Sequence, residues 1–123
     1  MRLGFPVYLL RYSLDAILET CDRLKPSLML MDPDTALRLA KMLPTDSQKL
    51  HSLRDIRCPA MDFPLDARRK LETLLSRECL ISRPYGLTEI GTVSAMLYDQ
   101  RDQNDPNSVG FTFPGVQIKY GNL

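Results

Sequence analysis

Short apolar runs alternate with amphipathic stretches along this chain, and prolines punctuate the changes. That alternation limits the possible folds more than any other feature. Residues 5–10 (Phe-Pro-Val-Tyr-Leu-Leu) read as a buried strand. Ser13 then stands as a helix N-cap with Asp15 in the first turn. Leu14, Ile17, Leu18 and Cys21 follow at the i, i+3, i+4, i+7 spacing of one helical face, and Pro26 stops the helix. Residues 27–31 read as a second buried strand. Asp34 or Asp32 caps the next helix, whose face is Ala36, Leu39, Ala40 and Leu43, and Pro44 ends it. Residues 45–52 are polar and are expected as a surface connection. Residues 53–58 make a weaker strand, interrupted by Arg54, Asp55 and Arg57. Pro64 opens a third helix with Ala67, Leu71, Leu74 and Leu75 on its apolar face. Residues 79–82 and 92–98 are further strands, 100–107 a polar loop, and 111–120 two short β segments around Pro114-Gly115.

Strand and helix in alternation predict an α/β fold: a mostly parallel sheet with crossover helices, ending in short β segments. At 123 residues the chain fits one domain, with an α/β core over about 5–98, a polar loop over 99–107 and β segments over 108–120. No internal repeat or low-complexity segment interrupts it.

Charge narrows the function classes. Sixteen basic and fifteen acidic residues leave a net charge of +1. That balance gives no electrostatic case for a nucleic-acid partner or an anionic membrane. No apolar run approaches the roughly 20 residues of a transmembrane span, and the N-terminal pattern is too weak for a signal peptide. Cys21, Cys58 and Cys79 are odd in number and far apart, which points to a reducing, intracellular, cytoplasmic setting.

The densest chemistry lies in Tyr85-Gly86-Leu87-Thr88-Glu89. It follows directly on a strand, and parallel α/β sheets bind ligands beyond the carboxyl ends of their strands. A tyrosine ring can stack on a flat base. Glycine lets a backbone pass close to a ligand. A threonine hydroxyl can donate to a phosphate oxygen. A glutamate carboxylate suits Mg²⁺ bridging to phosphates. Read alone, the string also fits a Tyr-Gly turn followed by a Thr-Glu helix start.

The string is similar to the Tyr-Gly-x-Thr-Glu motif of the adenylate-forming superfamily, the AMP-binding synthetases and ligases. Tyr85, Gly86, Thr88 and Glu89 match it position by position. Ser52-Leu53-Arg54-Asp55-Ile56 followed by Phe63-Pro64 resembles a second family segment, and Val109-Gly110 with Phe113-Pro114-Gly115-Val116 a third. Thr112 stands where that third segment usually has a proline. The resemblance runs along nearly the whole chain, although its specific part is about two dozen residues. It implies that Thr88 and Glu89 are catalytic, that Glu89 is the metal ligand, and that Tyr85, Gly86 and Thr88 bind the adenylate with the loop Pro59, Ala60 and Met61. It also implies ATP/AMP and Mg²⁺ as cofactors, CoA for the parent enzyme and a carboxylic acid substrate. The expected function is part of an ATP-dependent acyl- or aryl-acid CoA ligase, which activates a carboxylate as an acyl-adenylate. A peptide-synthetase-type adenylation fragment and a non-catalytic interaction module are the alternatives.

The sequence departs from the family at two levels. Pro59, Ala60 and Met61 replace a loop that is usually Gly-Gly-Ala or Gly-Ala-Ala, so the pocket is reshaped or filled. The Ser/Thr/Gly-rich phosphate loop, the ribose-binding aspartate and the C-terminal domain's lysine are not found in these residues. Without them the isolated chain is expected to be inactive, and the missing parts of the same enzyme are its natural partners. Elsewhere the bland readings prevail. His51, the single histidine, is read as solvated. Asp32/Asp34 and Asp62/Asp66 are read as helix-capping carboxylates, Arg68-Arg69-Lys70 as a solvated helix face, and Cys58 as an inert thiol.

Overall fold

The computed structural model describes residues 4, 6–10, 13–42, 44–59, 63–103, 105–119 and 121. Helix α1 (Leu14–Leu24) starts where Ser13 Oγ accepts a hydrogen bond from the Ala16 N–H at 3.2 Å. It buries Ile17, Leu18 and Cys21. Lys25 closes it in the left-handed region (φ 47°), donating its N–H to the Cys21 carbonyl, and Pro26 prevents continuation.

Strand β1 (Leu28–Leu30) leads to α2 (Pro33–Ala40). Its cap is Asp32, not Asp34. One Asp32 oxygen accepts from the Thr35 N–H at 2.9 Å, the other from the Thr35 hydroxyl at 2.8 Å. A 3-10 helix (Pro44–Leu50) then precedes β2 (Asp55–Arg57), α3 (Leu65–Leu74) and β3 (Leu80–Ser82). The three strands are parallel in the order β1-β2-β3. Met29, Ile56 and Ile81 form one row across the sheet and join Leu39, Leu50, Leu53 and Leu71 in the core. Helices α2 and α3 pack against each other, and α1 against α2. A separate antiparallel sheet follows, β4 (Tyr85–Leu87), β5 (Gly91–Ala95) and β6 (Phe111–Thr112), in that order. The fold is therefore α/β, a parallel sheet with crossover helices that ends in short β strands, as the alternation predicts.

Several elements differ from expectation. Residues 6–10 are not a strand; Val7 and Leu9 are 83% and 97% exposed. A strand exists only through a ladder with a neighbour, and composition cannot supply one; Pro6 also lacks the N–H. Phe5 lies outside the described residues. Strand β1 is buried on one face only, with Leu28 and Leu30 exposed. Most of the 45–52 segment belongs to the 3-10 helix Pro44–Leu50, which sends Leu50 into the core. Part of the expected 99–107 loop belongs to a second 3-10 helix, Tyr98–Gln103. Beyond β6 the chain turns at Pro114-Gly115, with the Val116 N–H on the Phe113 carbonyl, and residues 116–119 form no second strand. Leu43 and Tyr120 lie outside the described residues.

The segment expected to be weakest, β2, is the central strand. Its charges are two residues apart and so share a face. Arg57 Nε and Nη2 reach Asp55 Oδ2 at 2.9 and 2.8 Å, which leaves Ile56 free to point into the core from the opposite face. Arg68 is also not solvated. It is buried on α3, donating Nη2–H to the Ile81 carbonyl at 2.9 Å and Nε–H to Glu72 at 3.0 Å. Arg69 and Lys70 do face solvent. Removing the Arg68 guanidinium deletes its hydrogen bonds to the Ile81 carbonyl and to Glu72, so Arg68→Ala is expected to cost about 1–3 kcal/mol. Arg69→Ala should stay within about 0.5 kcal/mol. Urea denaturation of both variants checks the difference.

Candidate active site

All three parallel strands end at one edge, and their ladders run a residue further. The Met31 N–H donates to the Arg57 carbonyl and the Cys58 N–H to the Ser82 carbonyl, both at 3.0 Å. Asp32, Pro59 and Arg83-Pro84 therefore leave the sheet side by side. Pro59 is half-buried there; Ala60, Met61 and Asp62 lie outside the described residues. Pro84 leads into β4, which carries Tyr85.

The motif folds as a hairpin. The Ile90 N–H donates to the Leu87 carbonyl at 3.2 Å, which puts Thr88 and Glu89 at the two central turn positions. Both are exposed, and Tyr85 is half-exposed at 47%. The Thr-Glu pair is thus a turn tip and not a helix start. Gly91 follows at φ +74°, a conformation that favours glycine.

Gly86 has a structural reason to lack a side chain. An added Cβ would overlap the Gly91 carbonyl oxygen and come within 2.9 Å of Thr92 Cα. The register is irregular here, because Tyr85 pairs with Ser94 while Gly86 pairs with Thr92. Val93 is the extra residue of a β-bulge, a device that re-aims neighbouring side chains. The structure brings Tyr85, Gly86, Thr88 and Glu89 together on one hairpin beside the carboxyl edge from which Pro59 emerges. Among the described residues, no group of three His, Cys, Asp or Glu side chains could hold a metal, so Glu89 would contribute a single carboxylate.

Sequence reasoning gave no role to Ser94 or to the positive-φ glycine Gly91, and named Gly110 only as part of the third family segment. One signal was available: Ser94 is the hydroxyl within the apolar run Val93-Ser94-Ala95-Met96. His51 is exposed in a turn, and Asp32 is a cap, as read from the sequence.

Cys58, at the carboxyl edge, is a poor nucleophile. Burial pushes its thiol up to about 11; the Asp32 charge adds to the rise and Arg83 opposes it. Burial likewise raises Cys21 to about 11 and Cys79 to about 12.

Residues 1–121 match the family described as AMP-binding enzyme. Two curated relatives from Aspergillus niger, the acyl-CoA ligase azaF and the phenylacetyl-CoA ligase epaB, are each 29% identical over 126 residues. Each alignment covers 99% of this chain and 23% of the relative, so the chain spans about a quarter of their length. Among solved structures, VinN in complex with L-aspartate superposes with a TM-score of 0.68 at 24% identity, over 81% of this chain and 25% of that one. The luciferase-like enzyme of the nonluminescent mealworm Zophobas morio gives 0.66 at 19% identity, over 80% and 24%. These two likenesses are of fold.

Two outcomes follow from this geometry. Gly86→Ala should cost about 1–3 kcal/mol through overpacking against β5, whereas Gly4→Ala, with no atom within 4 Å, should be near neutral; chemical denaturation compares them. At pH 8 a thiol with a pKa of about 11 is only about one part in a thousand thiolate, against roughly a quarter for an ordinary cysteine. Folded protein should therefore show no fast phase with a thiol reagent at pH 8. Labelling should accelerate as pH rises toward 11, and all three thiols should react promptly in urea.

Proposed function

The chain belongs to the AMP-binding enzyme family, and from that premise we propose that it forms the adenylate-binding edge of an ATP-dependent acyl- or aryl-acid CoA ligase. One observation carries the proposal. Tyr85, Thr88 and Glu89 project from a single exposed hairpin just beyond the carboxyl end of β3, where α/β sheets bind ligands. The Tyr85 ring stacks on the adenine. The Thr88 hydroxyl, at the turn tip, donates to a phosphate oxygen. Pro59, with Ala60 and Met61, is assigned to adenylate binding by the family resemblance alone.

A lone, exposed carboxylate fits Mg²⁺, which keeps most of its ligands as water and substrate phosphates. Glu89 would hold the ion, and the ion would neutralise phosphate charge. The acid is assigned to the acyl or aryl class by analogy with the acyl-CoA and phenylacetyl-CoA ligases that the chain resembles. An intracellular, reducing location is proposed from the three free cysteines. No helix among the described residues is long and apolar enough to cross a membrane.

These 123 residues bind better than they catalyse. Nucleotidyl transfer needs preorganised donors and cations around the phosphates, and the six glycines stand singly, with none in a phosphate cradle. A non-catalytic binding module is the second reading, favoured by the exposed apolar side chains Leu28, Leu30, Leu87 and Ile90. The isolated chain should show no pyrophosphate exchange into ATP above a Glu89→Ala control. Calorimetry should find AMP binding no tighter than millimolar, lost in Tyr85→Ala. Exchange above the control would refute the inactivity, and AMP binding untouched by Tyr85→Ala would refute the site.

A further inference from the structure

We propose that Ser94 is a positioning residue: its hydroxyl latches the 105–110 segment across β5 and so fixes the strand register that aims the Tyr85 ring. The functional consequence rests on the adenylate reading above. Ser94 is 1% exposed and stands in the middle of the antiparallel sheet, paired with Tyr85 on one side and Thr112 on the other. Cross-strand partners point to the same face. The Tyr85 ring, the Ser94 hydroxyl and the Thr112 side chain thus form one row.

The Ser94 Oγ–H donates to the Val109 carbonyl at 3.1 Å, fifteen residues along the chain. What it grips is already shaped. Asp105 accepts from the Asn107 N–H through its side chain (2.8 Å) and from the Ser108 N–H through its carbonyl (2.9 Å). Ser108 Oγ accepts from the Gly110 N–H at 3.0 Å. Gly110, at φ +82°, lies flat on β5, where an added Cβ would overlap the Ala95 carbonyl and the Met96 nitrogen. The Phe113 N–H then reaches the Val93 carbonyl at 3.1 Å. Residues 105–113 therefore make a clip over β5.

The clip matters because of the bulge. Pairing jumps from Ser94 to Thr92 beside Tyr85, and Val93 is the residue left over. A strand that slips by one residue turns every side chain to the other face. Ser94 is the residue directly opposite Tyr85; moving the bulge off Val93 would turn the Ser94 side chain to the other face and break its bond to the Val109 carbonyl, so that bond opposes the slip. The same bond brings the Val109-Gly110 backbone against the end of β5 at Ala95 and Met96.

Amide hydrogen exchange on the 123-residue chain tests the latch. Ser94→Ala and Ser94→Val should speed exchange at Gly110, Phe113 and the β4 amides by about two- to tenfold, the loss expected of one hydrogen bond. Met31, Cys58 and Leu80, in the parallel sheet, should not change. Ser94→Thr, the same shape as valine with the hydroxyl restored, should return exchange toward wild type. Equal behaviour of the threonine and valine variants would overturn the latch, as would acceleration spread evenly to Cys58 and Leu80, or none at all. AMP titration gives the readout a merely structural bond would not move. Weaker binding in the alanine and valine variants, recovered by threonine, supports the positioning role; equal affinity in all four proteins overturns it. Failure of the wild type to bind AMP into the millimolar range would count against the adenylate reading, and the exchange pattern would still decide the latch.

Discussion

The Asp55–Arg57 pair lets this chain have a central strand at all. Three residues must form two parallel ladders and also anchor the core, and two of the three are charged. Pairing the charges with each other, on the face away from the helices, frees Ile56 to join Met29 and Ile81 in the apolar row that α2 and α3 cover. The arrangement has a cost. Asp55 Oδ1 and Ser82 Oγ, on that same outer face, are buried with no hydrogen-bond partner among the described residues.

The candidate site depends on that sheet through its edge. Because β2 and β3 are parallel and in register, the Pro59 loop and the Pro84-Tyr85 stretch emerge as neighbours although they are far apart in the chain. The hairpin then carries the polar groups outward. Glycines at 86, 91 and 110 allow strands and clip to approach more closely than side chains would permit or to take positive φ. Close backbone approach is combined with exposure of Tyr85, Thr88 and Glu89 at the hairpin.

What was legible in the sequence was local. The Ser13 cap, the stop before Pro26 and the apolar faces of the three helices each depend on residues within a turn or two. The motif was legible for another reason, since its residue types match a family pattern at adjacent positions. What escaped depended on distant partners. Residues 6–10 have strand composition but no ladder. Arg68 looks solvated until the Ile81 carbonyl, thirteen residues away, arrives beside it. The two charges on β2 look like interruptions until the pleat puts them on one side. Ser94 looks like a stray hydroxyl until Val109 folds back over it.

Only Arg83 and Pro84 separate the last strand of the parallel sheet from the first of the antiparallel one. The proline ring locks one of the few torsions in that link. A short, half-frozen link behaves as a lever arm rather than a tether. The direction in which the hairpin leaves is tied to the end of β3, and the Cys58–Ser82 hydrogen bond ties that end to β2. The orientation of the hairpin is therefore anchored in the parallel sheet behind it.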